Sequence, residues 1–224
     1  MTPIEPTRKD SGQPGPKKKY SASLRLWHWA NAVLISGSLL TVLVNATLND
    51  PAAVTPVIQD ELTKGGVRVS AQQAGSVAHA LEDQVWAVHT YFGYVLAGLL
   101  LFRLILEFFQ LADQKFIRKL RSALQQFQDT KRKRELAQHE IVVKSIYVVF
   151  YLVLAMMTVT GLFLAFEDLL VPFKSIRHSV KEIHGFCMYL VIAFITLHIA
   201  GVFLTERKDS AGITSDMING GRNS

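Results

Sequence analysis

The stretch "EIHGFCMYLVIAFITLHIAGVFL", residues 182–204, carries two imidazoles, His184 and His198, with no charge between Glu182 and Glu206. An ionisable side chain inside so apolar a run is costly to bury and faces a partner or a cofactor. On a helix, fourteen residues amount to about 3.9 turns, so both rings leave nearly the same face, roughly 21 Å apart along the axis. One ion bridging them is excluded, and two separate sites are implied. Of the seven histidines in the chain, two more lie at the ends of apolar runs: His28 in "LRLWHWAN" and His89 in "VWAVHTYFGYVLAG". His79 and His178 fall in connections, and His139 stands beside Glu140 ahead of an apolar run. Those three need no special chemistry.

The elements that must carry these histidines are spans. Half of the 224 residues are apolar, and they are concentrated in four blocks rather than spread as a soluble core requires. Crossing the hydrocarbon takes about 20 apolar residues, which predicts spans at about 24–48, 85–109, 142–166 and 182–204. The expected fold is an all-α membrane protein, a four-transmembrane-helix bundle over residues 23–205. Residues 1–22 hold Pro3, Pro6, Pro14 and Pro16 and no apolar stretch, so they read as a disordered basic tail without a cleavable signal. Residues 206–224 form a second tail.

The net charge of +6 is distributed as a topology signal and not as a nucleic-acid surface. Lys17, Lys18 and Lys19 precede the first span, and Lys115, Arg118, Lys119, Arg121, Lys131, Arg132, Lys133 and Arg134 lie between the second and third. Basic connections stay inside, which places both termini in the cytoplasm. Phe116, Leu120, Leu124 and Phe127 recur at helical spacing in that connection. They describe an amphipathic helix, either on an anionic lipid surface or solvated. The outer connection 49–84 contains Pro51, Pro56 and Gly65-Gly66, read as turns around short segments. Cys187 is the single cysteine. It excludes an intramolecular disulfide, a multi-cysteine iron–sulfur site and CxxCH attachment, and is read as a packing residue.

This topology sorts the histidines into pairs by depth: His89 with His184 outside, His28 with His198 inside. Zinc takes three or four protein ligands, and neither pair has a nearby buried carboxylate or thiolate to complete such a shell, except Cys187 at the outer one. Haem iron takes only two, because the porphyrin supplies four nitrogens, and helical bundles hold cofactors between facing helices. Two haems are therefore expected, with iron held by His28, His198, His89 and His184. For His28, between Trp27 and Trp29, a place in an interfacial aromatic belt is the competing reading. Gly93 follows His89 at i+4 and Gly201 follows His198 at i+3. They give a flat macrocycle room, or, with Gly98 and Gly161, serve close helix packing. Arg25 and Arg103 are candidates for the propionates of the inner haem, or cations that snorkel to headgroups. No nucleophile or general-base constellation is present.

The segments "RLWHW", "VHTYFGYVLAGLLLFRL" and "EIHGFCMYLVIAFITLHIAGV", with the end "ITSDMINGGR", resemble the bacterial di-haem b-type cytochromes with four spans. That family includes the membrane subunits of nickel–iron hydrogenases and formate dehydrogenases, and bacterial cytochrome b561. The resemblance covers about residues 20 to 221 and all four spans. It implies that the first, second and fourth helices supply the ligands, His28 and His198 for the inner haem and His89 and His184 for the outer. It also implies transmembrane electron transfer to or from the quinone pool in the bacterial inner membrane, beside a hydrogenase, dehydrogenase or iron–sulfur partner subunit. A quinone or quinol site is expected near the inner haem, with Asn31, Arg25 and Glu107 as candidates. The 36-residue outer connection and the long basic inner one depart from the family pattern and leave the partner open. Two rivals follow: a stand-alone cytochrome b acting on a small redox molecule at the outer face, and a haem-free membrane anchor whose histidines only hydrogen-bond between helices.

Overall fold

The computed structural model describes residues 22–109, 131–208, 214, 217 and 218. The amphipathic segment expected around residues 116–127 and the tail 1–21 lie outside the described residues, as do the side chains of Glu107 and His139. In chain order the elements are α1 (Ala22–Thr47), α2 (Pro51–Lys64), α3 (Ala71–Phe109), α4 (Lys131–Ala165), a 3-10 turn (Val171–Ile176) and α5 (Arg177–Lys208). No strand occurs among the described residues. Helices α1, α3 and α4, and α5 together with the turn before it, are long and apolar enough to cross a membrane. The fold is the expected all-α, four-span membrane bundle.

The connection between the first two spans differs from its expectation of short segments. Helix α3 runs for 39 residues, about 58 Å, against a hydrocarbon thickness of about 30 Å. Its first turns therefore stand beyond the span expected at 85–109, and they pair with α2. The Asp50 side chain accepts from the Ala52 N–H at 3.2 Å, and Pro51 at the first helical position loses no needed donor. At the other end the Val67 N–H reaches the Leu62 carbonyl (2.8 Å) and the Gly66 N–H that of Thr63 (3.0 Å). This is a Schellman closure with Gly66 at φ +83°, a left-handed position that favours glycine. Helix α3 then opens on reciprocal capping: the Gln73 N–H donates to Ser70 Oγ (3.2 Å), and the Ser70 N–H to Gln73 Oε1 (2.9 Å). Ala74 and Ala78, both 1% exposed, are the small faces that let α2 and α3 approach.

The chain forms two compact units, Trp29–Leu197 and Met1–His28 with His198–Ser224. In the first, Tyr94 of α3 stacks on Phe166 (5.7 Å) and Phe150 of α4 on Phe194 of α5 (4.2 Å). Arg177 at the start of α5 is paired with Glu167, which ties the 3-10 turn to the end of α4. Large apolar side chains such as Val33, Leu152, Val159 and Leu197 are exposed, whereas Asn31, Thr41, Asn45 and Thr160 are buried. That distribution is inverted relative to a soluble protein, as lipid requires. In the second unit, Arg207 lies over the Phe203 ring at 4.5 Å, and the Glu206 carboxylate accepts from the Thr214 N–H and hydroxyl.

Candidate functional site

Within Trp29–Leu197, His89 of α3 and His184 of α5 face each other with ring centroids 6.3 Å apart and planes at 77°. Three groups of α1 surround the His89 Nδ1: Thr41 Oγ1 at 2.9 Å, Ser38 Oγ at 3.2 Å and the Ser38 carbonyl at 3.3 Å. Trp86, one turn earlier on α3, contacts the ring edge-on at 5.4 Å and is itself held by its indole N–H donating to Glu82 (3.1 Å). On the other side, His184 Nδ1 lies 2.9 Å from Thr160 Oγ1 of α4. A Cβ at Gly161 would stand only 3.1 Å from His184 Cε1. All four spans thus contribute to this pair, two supplying rings and two supplying support.

Within the other unit, His28 of α1 and His198 of α5 lie with ring centroids 6.1 Å apart and planes at 49°. Arg25 sits one turn before His28, half-buried, and its Nε and Nη1 are buried without a hydrogen-bond partner among the described residues. Buried guanidinium donors are costly to leave unmade, so this geometry suits an anion. Arg103 is fourteen residues beyond His89 on α3, roughly 21 Å along the axis, and half-buried. Asn31 is buried.

The two separations carry chemical information. Two imidazoles trans on one metal, with bonds of about 2 Å and about 1.1 Å from nitrogen to ring centre, have centroids about 6.2 Å apart. A direct N–H···N bond of about 2.9 Å would bring the centroids to about 5.1 Å. Both pairs match the first distance. No group of three or more His, Cys, Asp or Glu side chains able to hold a metal ion occurs among the described residues. The donor set is two imidazoles per site, which suits a metal whose remaining ligands arrive with it. The glycines also sort themselves. A Cβ at Gly93, Gly98 or Gly201 would meet nothing within 4 Å, so these positions leave space. Those at Gly37 and Gly161 would press on Phe92 and His184, so these serve close approach.

The structure brings His28 beside His198 and His89 beside His184. His79 is paired with Glu82 (3.3 Å), and His178 is exposed with Glu182 at 3.8 Å, so neither joins a site. Ser38, Thr41, Thr160 and Trp86 were missed by the sequence reading. Threonine within an apolar run is an ordinary helix residue that bonds back to its own backbone, and only the packing shows a ring beside it.

No curated protein and no solved structure matches the chain. The profile of a family described as prokaryotic cytochrome b561 matches residues 19–220, which takes in all four spans and both histidine pairs. Its members bind b-type haem and carry electrons across a bacterial membrane. The chain belongs to the prokaryotic cytochrome b561 family.

Proposed function

We propose that this protein holds two b haems, one between His28 and His198 and one between His89 and His184, and exchanges electrons with the quinone pool. The single observation that carries this reading is the pair of ring separations, 6.1 and 6.3 Å. Both would leave room for one metal between two imidazole nitrogens, and neither fits a direct hydrogen bond between rings. Bound haem b supplies one-electron exchange at iron, with a potential set by its axial ligands and their surroundings. The chain's own residues bind, orient and shield. The four imidazoles would hold the iron, the buried donors of Arg25 suit a propionate, and the open positions at Gly93 and Gly201 would leave room for a flat macrocycle. Lipid-facing apolar side chains keep water away from both sites.

The basic residues before the first span and between the second and third support a cytoplasmic location for both termini and for the His28–His198 end. A quinone or quinol is taken up near that end. A hydrogenase, dehydrogenase or iron–sulfur subunit is the fitting redox partner in a respiratory chain of the inner membrane. Haem quantification on detergent-solubilised protein tests the reading. Wild type carries two haems per chain, and His89→Ala and His198→Ala each carry one, with different midpoint potentials remaining. Two haems in either variant, or none in wild type, rejects the assignment.

A further inference from the structure

We propose that Thr41 and Thr160 are positioning residues that fix the tautomer and rotation of His89 and His184, and so tune the haem bound between them. The inference rests on those two histidines being its ligands. Each hydroxyl has one proton, and in both cases it is already committed. Thr41 Oγ1 donates to the Ser38 carbonyl at 2.6 Å, and Thr160 Oγ1 donates to the Met156 carbonyl at 2.6 Å. Toward the ring each oxygen therefore offers only a lone pair, and the group it meets, 2.9 Å away in both cases, has to be an Nδ1–H. The Ser38 carbonyl, 3.3 Å from His89 Nδ1, accepts only and dictates the same proton position.

With Nδ1 protonated, the lone pair of each neutral imidazole is on Nε2, the nitrogen left to bind iron. A hydrogen bond from the distal N–H raises the basicity of a metal-bound imidazole and sets its orientation. The two threonines are 8% and 6% exposed, so water does not substitute for them. Their arrangement is matched across the site: a hydroxyl from α1 serves the ring on α3, and one from α4 serves the ring on α5. The two helices that supply no ligand here supply the acceptors.

The test is Thr160→Val, the double variant Ser38→Ala/Thr41→Val, and the conservative Thr160→Ser, each in the full chain. Potentiometric titration with visible difference spectra and low-temperature EPR reads both haems. In the valine variants the midpoint of the His89–His184 haem rises, because a less basic ligand stabilises ferric iron less. Its low-spin EPR signal shifts, and its loss to a haem scavenger quickens about tenfold. The other haem is unchanged, and Thr160→Ser restores the wild-type values. Midpoint and EPR signal unchanged in both valine variants overturn the proposal. If a valine variant fails to insert, Thr160→Ser decides: wild-type values support the hydroxyl's role, and valine-like loss rejects it. His89→Ala is measured alongside. If it keeps both haems, the ligand assignment itself has failed, an outcome distinct from threonines that do not matter.

Discussion

Gly161 of α4 lies against the Cε1–Nδ1 edge of the His184 ring of α5: a Cβ there would stand 3.1 Å from His184 Cε1 and 3.7 Å from Nδ1. Thr160, the preceding residue, meets the same ring at 2.9 Å. One turn of α4 therefore both backs and hydrogen-bonds the imidazole, which leaves it little freedom to rotate. An added methyl group displaces the ring by a few tenths of an ångström, and overpacking of this kind costs about 1–3 kcal/mol. Gly161→Ala is expected to lower haem occupancy between His89 and His184 while sparing the other site. Gly98→Ala, where a Cβ meets nothing within 4 Å, is the control and keeps both haems. Equal haem content in the two variants contradicts this account.

A site that needs both its imidazoles behaves as a unit under substitution. His28→Ala, His198→Ala and the double variant are expected to lose the same single haem, so that the second substitution adds nothing. His28→Ala combined with His89→Ala leaves none. Difference spectra of this set check the pairing directly, and a double variant of His28 and His198 that loses two haems breaks it.

Of the two candidates for the propionates, Arg25 is the one that lies a turn from His28. Arg25 carries buried Nε and Nη1 atoms without a hydrogen-bond partner among the described residues, one turn from His28. On the proposed reading, replacing it with Gln removes a cation and its donors from a propionate, a contact of about 1.5–3 kcal/mol. The haem held by His28 and His198 is expected to fall in midpoint, since positive charge nearby favours the reduced form. Arg103→Gln, measured on the same His28–His198 haem, tests the second candidate. An unaltered midpoint in Arg25→Gln removes the propionate role.

The α2–α3 hairpin is held by local closures whose loss is readable without unfolding the spans. Gly66 at φ +83° accepts an L side chain at a cost of about 1–2 kcal/mol, and Ser70→Ala removes a cap of about 1 kcal/mol. Faster amide exchange confined to α2 and the first turns of α3 is expected in both variants, with haem content intact. Exchange indistinguishable from wild type shows that these two closures do not hold the hairpin.

The four spans and the pairing of His28 with His198 and His89 with His184 were legible in the linear chain. Apolar length follows from hydrocarbon thickness, and a costly imidazole in lipid needs a reason that its depth then reveals. The α2–α3 hairpin was partly legible. Ser70 and Gln73 have capping-box spacing and Gly66 is a helix-ending glycine, but Pro51 and Pro56 drew attention to turns instead. Nothing in the order of residues tied Thr41 to His89 or Thr160 to His184, 48 and 24 residues apart. A helical threonine satisfies its own proton on its backbone wherever it stands, so its free lone pair has no address in one dimension. Which ring receives it, and which glycine a ring lies against, depends on how α1 and α4 are rotated about their axes. Packing between helices sets that rotation, and only the tertiary structure contains it.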